Sequence, residues 1–201
     1  MGKGNYGTVW KAINKTNRDR IAIKKIQNAF VNIIDATRTL REILIMSELE
    51  KHQNLIQLHT VHVGKNNRDV YLVFELCEAD LHTVIRSGVT EEIQKPYIMY
   101  QIAKALNVMH SCDVIHRDMK PSNILINQDC SVKLADFGIS KVIKGSRMNM
   151  TDYIATRWYR PPEVLLGSPI YGKPVDIWGF GCVLVELYIQ KPLFPGQSTL
   201  N

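Results

Sequence analysis

Apolar residues in the first third of the chain fall in short β-rich runs, and the period then changes. Val9 to Ile13 and Ile21 to Ile26 predict two strands, joined through the turn-prone Asn14-Lys15-Thr16-Asn17. Behind Asp35, a suitable N-cap, Leu40, Ile43, Leu44 and Leu49 stand at helical spacing and predict a helix. Ile56 to Val63 and Val70 to Phe74 predict two more strands, with Gly64-Lys65-Asn66-Asn67 as the turn between them. Beyond Glu75 the pattern becomes helical. Glu91 to His110 predicts a long helix with Ile98, Ile102, Leu106 and Met109 on one face, and short strands follow near 124–127 and 132–135. Residues 137–173 are rich in Gly, Ser and Pro and predict loops, and the apolar run Pro174 to Ile189 predicts a buried helix with proline in its first turn. The expected architecture is α+β: a small β-rich lobe over residues 1–76, a hinge near 75–79, and a helical lobe over 77–201.

Composition narrows the classes. The 201 residues are 45% hydrophobic and 22% charged, enough apolar material for a real core. The net charge of +6 is spread along the chain with no long basic run, so charge alone gives no reason to expect nucleic acid, while a basic balance suits a polyphosphate ligand. Cys77, Cys112, Cys130 and Cys182 form no C-x-x-C pair and are expected to be reduced thiols, as in the cytosol or nucleus. No apolar run is long enough to predict a membrane span.

Four segments carry candidate chemistry. Gly2-Lys3-Gly4-Asn5-Tyr6-Gly7-Thr8-Val9 fits G-x-G-x-x-G-x-V, in which glycines let backbone amides come close to phosphates. Taken alone it is equally a glycine-rich hairpin. Ile21-Ala22-Ile23-Lys24 places a lysine on a strand, and Glu42 on the next helix could hold it beside phosphate oxygens; a lone Lys/Glu pair is more often a surface feature. His116-Arg117-Asp118-Met119-Lys120-Pro121-Ser122-Asn123 is the most specific segment. Asp118 can accept a hydroxyl proton, Lys120 can steady a γ-phosphate, and Asn123 can ligate Mg²⁺ through its amide oxygen. Asp136-Phe137-Gly138 adds a charged Mg²⁺ ligand at Asp136.

In this order, the four segments resemble the eukaryotic protein kinase family over essentially the whole chain. The resemblance implies a two-lobed protein kinase-like fold with ATP and Mg²⁺ bound between the lobes. It further implies γ-phosphoryl transfer to protein hydroxyls. Lys120-Pro121-Ser122-Asn123 resembles serine/threonine rather than tyrosine kinases. By the same alignment Gly2, Lys3, Gly4, Asn5, Tyr6, Gly7, Val9, Ala22 and Lys24 line the nucleotide. Phe74 is the bulky residue behind the adenine, Glu75 and Cys77 offer it backbone hydrogen bonds, and Asp80 reaches the ribose. Phe74 is equally read as simple core.

Thr151-Asp152-Tyr153 followed by Ala155-Thr156-Arg157-Trp158-Tyr159-Arg160 is similar to mitogen-activated protein kinases, in which the Thr and Tyr are phosphorylated. Two phosphates add roughly −3 to −4 charge, enough to order a loop against cations. The resemblance implies that Arg157 and Arg160 face the Tyr153 phosphate, and that Arg38, Arg117 and Lys141 face that of Thr151. The family usually has Arg where Lys141 stands. Ala22-Ile23-Lys24-Lys25-Ile26, Thr39-Leu40-Arg41-Glu42-Ile43, the run Arg68 to Glu75 and Pro192-Leu193-Phe194-Pro195-Gly196 resemble the atypical fifteen, or extracellular-signal-regulated seven/eight, type. Implied partners are protein substrates with Ser/Thr-Pro sites and an upstream kinase or self-activation. The implied location is cytoplasm and nucleus, or a cilium or flagellum. Asp176 and Trp178 match the family's buried anchor for the loop around Asp118.

Pro161-Pro162-Glu163 stands where the family has Ala-Pro-Glu, and the arginine that normally pairs with Glu163 would lie beyond Asn201. The chain is therefore expected to be a fragment with a truncated C-lobe. Two rivals stay open on sequence: a truncated pseudokinase acting as a nucleotide-binding scaffold, and a small-molecule phosphotransferase on the same fold. The T-x-Y triplet argues against the second.

Overall fold

The computed structural model describes residues 3–4, 7–49, 51–143 and 157–196. Its N-terminal part is a five-stranded antiparallel sheet in the order β1-β2-β3-β5-β4, made of β1 (Lys3–Gly4), β2 (Gly7–Ile13), β3 (Arg20–Ile26), β4 (Leu58–Val63) and β5 (Val70–Glu75). The β2–β3 turn is built as its residues suggest. The Asn14 side chain accepts from the Thr16 amide at 3.0 Å, and Arg18 takes a left-handed φ of +65°. Helix α1 (Ile33–Glu48) crosses one face of the sheet.

Its N-cap is Asn32 rather than Asp35: the Asn32 side chain accepts from the Asp35 amide at 2.8 Å, and Asp35 sits in the first turn, where its charge suits the helix dipole. The buried face of α1 carries Thr39, Glu42 and Ile45, while Leu40 and Leu44 are 57% and 50% exposed. The helix is rotated so that a carboxylate, not the leucines, faces the sheet.

After Glu75 come β6 (Ala79–Asp80), α2 (Leu81–Ser87), α3 (Gln94–Ser111), β7 (Val114–Ile115), β8 (Ile124–Ile126), β9 (Val132–Leu134), β10 (Lys141–Val142), α4 (Pro162–Leu165) and α5 (Pro174–Ile189). Strands β6, β8 and β9 form one small sheet and β7 pairs with β10. Helix α2 is too short for a periodic apolar signal. It is bracketed by Asp80, whose carboxylate accepts from the Thr83 amide at 2.9 Å, and by Gly88 in left-handed backbone at φ +67°. Helix α3 buries the expected face, with Ile98, Ile102 and Met109 at 0% exposure and Leu106 at 2%. Each such side chain contributes about 1.5–3 kcal/mol.

Helix α5 departs from expectation. One face is buried through Val175, Cys182, Val183 and Leu187, but Ile177, Trp178 and Ile189 are 54%, 38% and 51% exposed. Trp178 is thus not part of a buried anchor; it stacks on Phe194 with centroids 5.8 Å apart.

The two parts share one apolar cluster. The segment after α1 runs into the helical part, where Ile56 N donates to Leu134 O at 3.0 Å. Asn54 Nδ2 donates to Gln101 Oε1 at 3.0 Å and Val132 O at 2.9 Å. All four cysteines are free thiols. Among the described residues no helix is long and apolar enough to cross a membrane.

Candidate active site

Antiparallel register places Lys24 of β3 between Val9 and Leu72, and Ala22 between Lys11 and Phe74. Because side chains alternate along a strand, Lys24 and Ala22 face the same side as each other. That side is covered by α1. Lys24 Nζ donates to Glu42 Oε1 and Oε2 at 2.7 and 2.9 Å and lies 3.8 Å from Asp136 Oδ1. Burial alone would lower the lysine's pKa, but the carboxylates of Glu42 and Asp136 outweigh it and hold Lys24 protonated well above its ordinary range. Burial lifts the Glu42 carboxyl above its ordinary value while Lys24 pulls it back. Two short N–O contacts make the pair ionic. Burial would also raise Asp136, yet Lys24 above all holds it below the usual carboxylate range. The Asp136 side chain remains 38% exposed and so reaches solvent rather than lying wholly in the core.

A second group lies on the loop between β7 and β8. Asp118 Oδ2 accepts from Lys120 Nζ at 2.6 Å and from Asn123 Nδ2 at 2.9 Å. Asn123 Nδ2 also donates to the Asp118 carbonyl at 2.9 Å. The two groups are tied together at Ala135, the residue before Asp136. Ala135 N donates to Asn123 O at 2.9 Å, and the His116 ring meets Ala135 O at 3.0 Å through Nε2. The Asp118 amide points to His116 Nδ1 at 3.2 Å, which assigns the His116 proton to Nε2. Phe137, at 0% exposure, packs edge-on against His116 with centroids 5.5 Å apart. Arg117 and Asp136 take left-handed φ of +72° and +66°, unusual for side-chain-bearing residues and met at sites that aim a group.

The loop is held from below. Asp176 of α5, at 1% exposure, accepts from the His116 amide at 2.8 Å through Oδ2 and from the Arg117 amide at 2.8 Å through Oδ1. That part of the expected anchor is present.

The other expected residues fall as follows. Lys3 and Gly4 pair with Thr8 and Gly7, and a Cβ on Gly7 (φ +149°) would stand 2.2 Å from the Lys25 carbonyl oxygen, so this backbone needs glycine. Gly2, Asn5, Tyr6, Thr151 and Tyr153 lie outside the described residues. Phe74 and Cys77 are buried at 8% and 4% exposure, and burial pushes the Cys77 thiol up to about 11. The Glu75 amide donates to Gln57 O at 3.3 Å, and its carboxylate meets the Gln57 amide at 2.8 Å and Lys133 Nζ at 3.0 Å. The carboxylate of Asp80 is engaged in capping α2.

Arg117, Lys141 and Arg41 stand close enough for burial and mutual repulsion to lower both Lys141 and Arg41, with Arg38 adding to the effect on Arg41. The sequence placed Arg41 only within a segment resembling the family and not among the phosphate-facing cations, although its place on the Arg38 helix, beside Glu42, is a signal for that role. The Tyr171 ring packs against the Arg117 guanidinium, 5.8 Å from its centroid, and its hydroxyl senses both Arg117 and Arg160. Arg157 is exposed, and the Arg160 amide donates to Arg157 O at 3.1 Å. The nearby Tyr159 hydroxyl donates to the buried Glu186 carboxylate at 2.6 Å, a contact the sequence did not suggest.

The donor set fits Mg²⁺ with a polyphosphate. Asp136 offers a carboxylate, and commitment of the Asn123 NH₂ to Asp118 turns its amide oxygen the other way. Both are hard oxygen ligands. Among the described residues no cluster of three or more His, Cys, Asp or Glu could hold a metal alone. A cation here would share its shell with phosphate oxygens, as Mg²⁺ does in kinases.

A β-sheet lobe joined to a helical lobe, with a carboxylate-clamped lysine linked through Asp136 and Ala135 to an Asp/Lys/Asn loop, defines a protein kinase fold. The protein kinase domain model matches residues 1–201, and the chain belongs to that family. It is 53% identical over 207 residues to Extracellular signal-regulated kinase 2 of Dictyostelium discoideum, covering all of this chain and 56% of that protein. It is 48% identical over 210 residues to Mitogen-activated protein kinase 15 of Caenorhabditis elegans and 46% identical over 210 residues to Extracellular signal-regulated kinase 7 of Drosophila melanogaster, covering 45% and 23% of those proteins. The chain spans about half, or less, of the length of these relatives.

Proposed function

We propose that this chain is the ATP-binding and catalytic part of a serine/threonine kinase of the mitogen-activated type, with the lobe boundary at residues 76–77. The observation that carries the reading is Lys24, bound to Glu42 and 3.8 Å from Asp136, joined through Ala135 to the Asp118–Lys120–Asn123 group. Bound Mg²⁺ supplies neutralisation of phosphate charge. Lys24, held in place by Glu42, binds phosphate oxygens. Among the described residues both side-chain donors on Asp118 go to Oδ2, and Oδ1 is the oxygen that would orient an acceptor hydroxyl and take its proton. Lys120 reaches the same space and stabilises charge on the transferred group.

Further parts of the reading are supported by resemblance and by the cation cluster. Substrates are proteins with Ser/Thr-Pro sites, and phosphates on Thr151 and Tyr153 regulate the enzyme. Arg41, Arg117 and Lys141 repel one another, and an anion would relieve that repulsion. The scaffold rival is not favoured, because Lys24, Glu42, Asp118, Asn123 and Asp136 are all present and brought together.

The test is phosphorylation of a Ser-Pro peptide with Mg-ATP, beside Asp118→Asn and Asp136→Asn. Phosphoserine formed by the wild type and lost in both variants supports the reading. Mg-ATP binding without turnover in the wild type would favour the scaffold. Phosphosite mapping of the incubated protein decides self-activation: phosphate must appear on Thr151 or Tyr153 and be absent from the Asp136→Asn control.

A further inference from the structure

We propose that Ser168 is a phosphate-acceptor site for a second copy of this chain, so that the kinase is its own Ser-Pro substrate. The inference rests on the reading of its substrates as proteins with Ser/Thr-Pro sites. Of all the serines and threonines in the 201 residues, Ser168 alone is followed by proline. The dipeptide lies on the loop between α4 and α5, where Ser168 is half-buried and Pro169 and Ile170 are exposed. A Cβ on Gly167, at φ +75°, would meet no atom beyond its chain neighbours within 4 Å. Leu166 and Ile170, on either side of the dipeptide, are 84% and 62% exposed. The loop stands clear of the helices that carry it, and a second molecule can reach it.

Its backbone suits a substrate. Proline at 169 steers Ser168 to extended backbone and carries no N–H, so no amide hydrogen bond is lost there when the dipeptide enters a cleft. Two hydrogen bonds shape the turn: Ser168 Oγ donates to Ile170 O at 3.0 Å and accepts from the Ile170 amide at 3.3 Å. Both are local and exposed, so water takes them over as the turn opens and frees the hydroxyl. The ends of the loop are tied to the body of the protein. The Ser168 amide donates to Glu163 O at 2.8 Å, and the Tyr171 ring packs against the Arg117 guanidinium. Reaching Asp118 of the same copy would break both ties, which leaves the site of another copy as the acting one. There Ser168 Oγ bonds to the γ-phosphorus of Mg-ATP and the bond from that phosphorus to the bridging oxygen breaks. ADP leaves with the electron pair, and the hydroxyl proton passes to Asp118 of the acting copy.

The test mixes unlabelled wild-type chain with a ¹⁵N-labelled Asp118→Asn chain as acceptor, in Mg-ATP with a Ser-Pro peptide present, and maps phosphate by mass spectrometry. Phosphate is expected on Ser168 of the labelled chain, at an initial rate proportional to the wild-type concentration. Pro169→Ala in the labelled acceptor should lower that rate by about tenfold or more. Peptide phosphorylation without phosphate on Ser168 of the labelled chain overturns the inference and leaves the kinase reading standing. Phosphate confined to the unlabelled copies, or a Pro169→Ala acceptor as good as its parent, overturns it too. If neither the peptide nor Ser168 gains phosphate, the kinase reading itself has failed and the inference falls with it. Circular dichroism checks that the acceptor is folded, and Asp136→Asn replaces Asp118→Asn if it is not. If neither variant folds, the wild type alone decides: phosphorylation of Ser168 per chain must quicken as its concentration rises, and a constant rate would sink the inference.

Discussion

A Cβ placed on Gly179 of α5 would stand 2.6 Å from the Cβ of Met119 and 3.1 Å from its carbonyl oxygen. Met119 lies between Asp118 and Lys120, so α5 touches the candidate catalytic loop with no space for even one methyl group. Gly179→Ala is expected to destabilise the protein by about 1–3 kcal/mol, the usual cost of overpacking. It should also lower turnover more than Mg-ATP affinity, because the loop rather than the nucleotide side is pushed. Urea unfolding and steady-state kinetics together check this; a variant with unchanged turnover would show that the helix, not the loop, gives way.

The Lys24–Glu42 pair is mostly buried, at 16% and 5% side-chain exposure. Lys24→Met would leave Glu42 enclosed with Asp136 nearby. The expected cost is about 3 kcal/mol, less in a Lys24→Met/Glu42→Gln double variant than the sum of the two single ones. Denaturant titration of all four proteins measures the coupling, and strict additivity would contradict it.

The cation cluster of Arg41, Arg117 and Lys141 should make stability depend on anions. Sulfate is expected to raise the Tm above that in chloride at matched ionic strength, with a smaller difference in Lys141→Met. In chloride alone Lys141→Met should be as stable as the wild type or slightly more so, because the repulsion of Lys141 by Arg117 and Arg41 is removed. Differential scanning fluorimetry reads both effects.

Asp69 gives a pH dependence of definite sign. Its hydrogen bond from Lys25, with that from the Asn28 amide, lowers its pKa from 3.8 to about 2. A carboxyl held lower in the folded state contributes stability that is fully present above about 4 and is lost as pH falls towards 2. Asp69→Asn should therefore be less stable than wild type at pH 6, and the difference should shrink between pH 4 and 2. Urea midpoints across that range test it, and a constant difference would place the effect elsewhere.

Much of this was legible before any coordinates. Strands and long helices were visible because β-rich runs and helical spacing follow directly from backbone geometry, and α3 buries the face its spacing predicted. Short elements such as α2 were hidden, since seven residues carry no period and only the Asp80 and Gly88 caps mark it. Asp35 was assigned the cap that Asn32 holds, because both residue types suit that position and only the chain direction into the helix separates them.

The sequence by itself determined which side chains could do phosphoryl chemistry and in what order they occur. A lysine on a strand, a glutamate on the next helix and an Asp/Lys/Asn loop are local patterns, set by spacing. Only the tertiary structure decided the orientations. Glu42 faces the sheet while Leu40 and Leu44 turn outward, because α1 rotates to put a carboxylate on Lys24. Arg41 joins Arg117 and Lys141, Tyr159 reaches Glu186, and His110 meets Asp176 across 66 positions. Such contacts depend on how helices and loops pack in three dimensions, and a one-dimensional pattern carries no information about residues that become neighbours only after the chain has folded.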